Sequence, residues 1–121
     1  MINAIRITPE GDASHIEIDG LADMQGVVDG YIELVFDPED NYEIYVNEEG
    51  LLHGLPLNAL ASLRSGRRIV GTALVTGRAD KNGDLTSVPK GIMKTLHMTS
   101  IFMEISGQPV GHPRWDTIRD A

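Results

Sequence analysis

The chain contains no cysteine, so no disulfide framework, thiolate zinc site or cysteine nucleophile can be built from it. That suits a reducing compartment. It also lacks any apolar run near the roughly 18 residues that a membrane-spanning helix needs. The opening "MINAIRITPEGD" has neither the basic start nor the apolar stretch of a signal peptide. A soluble, cytoplasmic protein with no membrane partner is expected. Bases are nearly missing from the first half: residues 1–50 hold thirteen Asp and Glu against Arg6 alone, a net of −12. Residues 51–121 hold five acids and nine Lys or Arg, a net of +4, which gives −8 for the whole chain. Two readings fit this asymmetry: a solvated acidic face that keeps the protein in solution, or a bipolar molecule with a separate anion-attracting patch.

With 121 residues, of which 41% are hydrophobic, the chain is long enough for one domain with a modest core of its own. "INAIRI" and "HIEI" alternate as two short strands and make a natural pair. Leu21, Met24 and Val28 fall at helical spacing behind Asp19, which is the expected cap. "YIELVF" and "YEIYV" are β-rich runs joined by "DPEDN", which predicts a hairpin with Ile32, Leu34 and Phe36 on one face and Tyr31, Glu33 and Val35 on the other. "LPLNALASLRSG" reads as a helix closed by Gly66, followed by an inner strand over Ile69–Val75 and the polar turn "RADKNGD". A helix is predicted from about residue 89 through 97, with Ser87 as cap and Pro89 in the first turn. "TSIFMEIS" fits helix and strand equally. The expected fold is α+β: a small mixed or mainly antiparallel sheet with two or three short helices over residues 1–108, and an irregular tail over residues 109–121.

Three stretches, "GYIELV", "YVNEEGLLHGLPLNALAS" and "IVGTALVTG", together resemble the domain of unknown function 3846 family. The resemblance covers roughly residues 30–77, and its most specific part is "YVNEEG" followed by "GLPLNALA". Its members are small proteins of bacteria, phages and plasmids. The resemblance thus implies an origin on a mobile element, and it carries over no reaction and no catalytic residue.

Asp37, Glu39, Asn41 and Glu48 occupy positions 1, 3, 5 and 12 of a calcium loop, yet its glycine position holds Tyr42, which favours a plain hairpin turn. "DKNGD" at Asp80 to Asp84 has no downstream glutamate to complete such a loop. His15, His53, His97 and His112 form no metal-binding pair, so no metal and no cofactor are expected. Neither a serine elbow nor a phosphate loop is present, and the chain is read as a non-enzyme.

The sharper signal is basic. Arg64, Arg67 and Arg68 lie within five residues. As a bland feature they complement the C-terminal dipole of the helix before them. As a site they would fork a phosphate, aided by Asn47, Asn58 and Tyr45, whose plain alternative is to cap and satisfy backbone, and by His53, whose plain alternative is a surface histidine. Lys90, Lys94 and His97, at i, i+4 and i+7, would add to it from one helical face. The favoured expectation is a non-enzymatic protein that sequesters a phosphate-bearing, nucleotide-like molecule, in the host cytoplasm if phage encoded. The alternative is an acidic interaction module, with Asp37, Glu39, Asp40, Glu48 and Glu49 imitating nucleic acid against a basic host protein. Direct nucleic-acid binding is disfavoured by the overall charge, and a homodimer is neither required nor excluded by the composition.

Overall fold

In a computed structural model, residues 1–35 and 41–105 are described. Phe36, Asp37, Glu39, Asp40, His112 and the tail over residues 109–121 lie outside them. Among the described residues the elements run β1 (Ile2–Ile7), β2 (Ala13–Ile18), α1 (Leu21–Val28), β3 (Ile32–Val35), β4 (Tyr42–Asn47), α2 (Ala59–Ser65), β5 (Ala73–Gly77) and α3 (Ile92–Ile105). The strands form one sheet in the order β2-β1-β5-β4-β3, and every neighbouring pair is antiparallel. The expected α+β class is the observed one. None of the described helices is long and apolar enough to cross a membrane.

Strand alternation sorts the apolar side chains onto two faces. Ile5, Ile7, Tyr42, Ile44, Val46, Ala73 and Val75 face Leu60 and Ala61 of α2 and Met93, Leu96 and Met103 of α3. Ala4, Ile18 and Leu74 face Met24 and Val28 of α1 on the other side. Each fully buried Ile, Leu or Met contributes about 1.5–3 kcal/mol, so the two layers share the stabilisation of the sheet.

The four antiparallel pairings leave the outer strands β2 and β3 pointing the same way, and α1 is the connection between them. At about 4.8 Å per strand, five strands span roughly 19 Å between the outer axes. An eight-residue helix is about 12 Å long. One short helix therefore cannot cover its face of the sheet.

Several local expectations are corrected. The N-cap of α1 is Gly20, without a side-chain cap; Asp19 instead donates its backbone N–H to Asp23 Oδ2 at 2.7 Å. The strand expected over Ile69–Val75 is broken at Gly71, whose φ of 77° interrupts extended backbone. Val70 bridges Leu57 instead, and β5 begins only at Ala73. The helix expected over residues 89–97 lies at Ile92–Ile105 and absorbs "SIFMEI". Pro89 and Lys90 precede it, and Ser87 Oγ accepts from the backbone N–H of Asn3 at 3.0 Å rather than capping it. The polar turn after β5 is closed by Asp80, whose Oδ1 accepts from the backbone N–H groups of Asn82 at 2.8 Å and Asp84 at 3.0 Å.

Candidate functional site

Helix α2 starts at Asn58, whose Oδ1 accepts from the backbone N–H of Ala61 at 3.1 Å, and ends at Gly66 with φ 72°. Two serines near its end fasten the turn that follows. Ser62 Oγ accepts from the Ile69 backbone N–H at 2.8 Å, and Ser65 Oγ accepts from that of Arg67 at 3.1 Å. From the other side Asn58 donates its backbone N–H to the Ile69 carbonyl at 2.8 Å. Ile69 is buried in the core below. Its anchoring holds the two preceding residues, Arg67 and Arg68, exposed at the surface.

These two arginines edge a cleft of about 260 Å³ between their turn and the β3–β4 ladder. Val35, Val46, Leu51 and Val70 supply apolar lining, while Glu33, Asn47 and Glu48 supply acceptors and an amide. On their other side, Leu57, Leu63, Gly66 and Met103 line a second, more apolar hollow of about 450 Å³. Arg67 and Arg68 thus form a ridge between two recesses.

The other expected ligand residues separate from this pair. Arg64 Nε donates to the Tyr42 hydroxyl at 3.0 Å, with the guanidinium carbon 5.8 Å from the ring centroid. That is a cation–π distance, and it commits Arg64 to the space between α2 and α3. Asn58 is wholly buried and its amide donates to the carbonyls of Ile7 and Gly71. Asn47, also buried, donates to the carbonyls of Val28 and Asp29 and accepts from the Glu49 N–H at 2.7 Å; it both caps the end of α1 and lines the cleft. His53 is exposed on the turn after β4 and does not line the cleft. Tyr45 packs with the opposite face of the sheet. Burial, and then the negative charge of Glu43, push its phenol above the ordinary tyrosine range. Lys90 precedes α3, so the three-residue helical face expected for Lys90, Lys94 and His97 does not form. Of the acidic constellation, Glu48 and Glu49 are exposed, and Asp37, Glu39 and Asp40 lie outside the described residues.

The sequence reading missed Glu33, Ser62 and Ser65. The last two carry a signal in retrospect: hydroxyls in the last turn of a helix that ends in glycine commonly bond the backbone beyond it. Among the described residues no group of three or more His, Asp or Glu is placed to hold a metal ion.

A family model described as a domain of unknown function (DUF3846) matches residues 2–101. The chain belongs to the DUF3846 family. The match runs well beyond the roughly 48 residues on which the resemblance rests in the sequence, taking in every described strand and α3 as far as Ile101. The candidate residues from Tyr45 to Arg68 all lie inside it. Comparison with curated proteins and with solved structures found no match. Within this DUF3846 chain, Arg67 and Arg68 are two adjacent exposed bases on a turn fastened to α2.

Proposed function

We propose that this DUF3846 protein is a non-catalytic binding protein that holds a phosphate-bearing, nucleotide-like molecule in the cleft edged by Arg67 and Arg68. The observation that carries the reading is the pair of exposed guanidinium groups on one turn, fastened to α2 by Ser62 and Ser65. A turn ordered before binding loses little entropy when the ligand arrives, and planar guanidinium groups match phosphate oxygens two at a time. Apolar Val35, Val46 and Leu51 suit the flat face of a base. Glu33 and Glu48 suit ribose hydroxyls or an exocyclic amine as acceptors. The acidic first half works against long polyanions, which favours a small ligand over nucleic acid. Encoded by a phage or plasmid, such a protein would withdraw a nucleotide signal from the host cytoplasm.

The test is isothermal titration of the full chain with inorganic phosphate, AMP, ADP and a cyclic dinucleotide. Saturable binding of at least one nucleotide, lost in Arg67→Ala/Arg68→Ala, is expected. Absence of binding across that panel, or unchanged binding in the double variant, would reject the assignment.

A further inference from the structure

The face of the sheet that α1 leaves partly uncovered carries its own recess. It measures about 470 Å³ and opens where β1 begins and β2 ends. Ile2, Ile18, Met24 and Ile32 line it with hydrocarbon, drawn from three strands and the helix. This follows from the dimensions of the layer: a helix about 12 Å long over strands spanning about 19 Å leaves one end of the face open. The recess is on the opposite side of the sheet from the core that α2 and α3 cover.

Its polar groups are few, and two carboxylates outnumber the one α-amino group, that of Met1, at its border. Asp19 borders it at the entry to α1, Asp84 at the turn after β5, and Tyr45 from β4. Both aspartates are exposed, and the hydrogen bonds they make run through their backbone atoms. Neither carboxylate, nor the Tyr45 hydroxyl, has a partner among the described residues.

An apolar recess with a small number of polar groups at its border is the usual make-up of a small-molecule site. Its charge selects the ligand: two carboxylates against the single α-amino group of Met1 leave a net negative border that disfavours an anion, and the hydrocarbon lining has no use for a sugar-like polyol. From this lining we infer that the recess binds a small amphipathic cation, an aromatic or alicyclic amine, with its ring on Ile2, Ile18 and Ile32. Its ammonium group lies against Asp19 and Asp84. The ring of Tyr45 adds a polarisable wall for the same cation. This site is separate from the arginine cleft, and its ligand has the opposite charge.

Tryptamine and indole-3-propionic acid share a ring system and differ in charge, which makes them the probes. The full chain is titrated with each and followed by amide resonances in two-dimensional NMR. Saturable shifts at Ile18, Gly20, Ile32 and Leu85 are expected with tryptamine, and the acid is expected to bind at least about tenfold more weakly, a difference worth roughly 1.4 kcal/mol. Asp19→Asn and Asp84→Asn retain the backbone bonds and should each weaken tryptamine several-fold, whereas Arg67→Ala/Arg68→Ala should leave its affinity unchanged. Equal affinity for both probes, shifts that do not saturate, or shifts centred elsewhere would overturn the inference. Survival of tryptamine binding in the arginine double variant also separates this site's fate from that of the nucleotide proposal.

Discussion

The side-chain amide of Asn58 donates to the carbonyl of Gly71 at 2.9 Å, across 13 residues of sequence. Its second proton goes to the carbonyl of Ile7, also at 2.9 Å, while its oxygen caps α2. One buried side chain therefore joins the end of β1, the start of a helix and the bend ahead of the central strand. Asn58→Ala removes the cap and strands buried acceptors, with an expected destabilisation of about 2–4 kcal/mol. Asn58→Asp restores the cap acceptor but not the donors, and should recover only a minor part. Urea denaturation of both variants decides this; a loss below about 1 kcal/mol for Asn58→Ala would contradict the role.

Two glycines should be irreplaceable for different reasons. At Gly71 the backbone sits at φ 77°, which costs an alanine about 1–2 kcal/mol, and its Cβ would also press on the flexible end of Leu55, 2.8 Å away. At Gly77 an added Cβ would meet the Ser87 carbonyl and the Thr86 hydroxyl, and a backbone carbonyl cannot swing away. Gly77→Ala should therefore lose more stability than Gly71→Ala. Gly83→Ala, with φ 79° but open space around it, isolates the strain component. Thermal denaturation of the three variants gives the ranking directly.

The three arginines of the cluster should part company under mutation. Arg64→Ala loses a hydrogen bond and a cation–π contact with Tyr42, so it should lower stability by about 1 kcal/mol and leave ligand affinity nearly intact. Arg67→Ala and Arg68→Ala should do the reverse, each weakening an anionic ligand by about tenfold or more with little change in stability. Ser62→Ala is informative because it removes no charge: detaching the turn should weaken binding and lower stability together. Paired calorimetry and denaturation on this set would expose a wrong division of roles.

Tyr45 offers a test at alkaline pH. Its phenol is raised above 10.0, first by burial and then by Glu43, so the folded state keeps its proton after the unfolded chain has begun to release it. The associated stability is fully present below about pH 10 and declines as pH rises through the folded-state range. Spectrophotometric titration at tyrosinate wavelengths should show a late component that disappears in Tyr45→Phe. The same variant should lose less stability above pH 10 than the parent.

Much of the fold was legible because alternation is a local property. The pairing of β1 with β2, the pairing of β3 with β4, and α2 with its glycine stop all follow from patterns within a few residues. What escaped depends on distance or on a single torsion. Ile69 and Val70 look continuous with β5 until the positive φ of Gly71 interrupts them. "SIFMEI" fits both periodicities, and its packing on the sheet through Met103 settles it as helix. In the site, Arg67 and Arg68 were found by charge alone, but nothing near Arg64 in sequence announces Tyr42, 22 residues away, as its partner. Asn47 and Asn58 fit either a ligand or the chain's own backbone in the sequence, and the structure commits their amides to backbone. Short polar side chains look the same in a sequence whether they serve a ligand or the chain itself.

The position of β5 in the sheet has a consequence for synthesis. It is the last strand made among the described residues, yet it lies between β1 and β4. Until Ala73–Gly77 has emerged, no strand is available to join β1–β2 to β3–β4, so any hairpin formed by either pair would have both backbone edges open to pairing. Closure is a single late insertion that joins the halves and seals two of those four edges at once. Chains interrupted before Ala73 are thus the forms of this protein most exposed to pairing with one another.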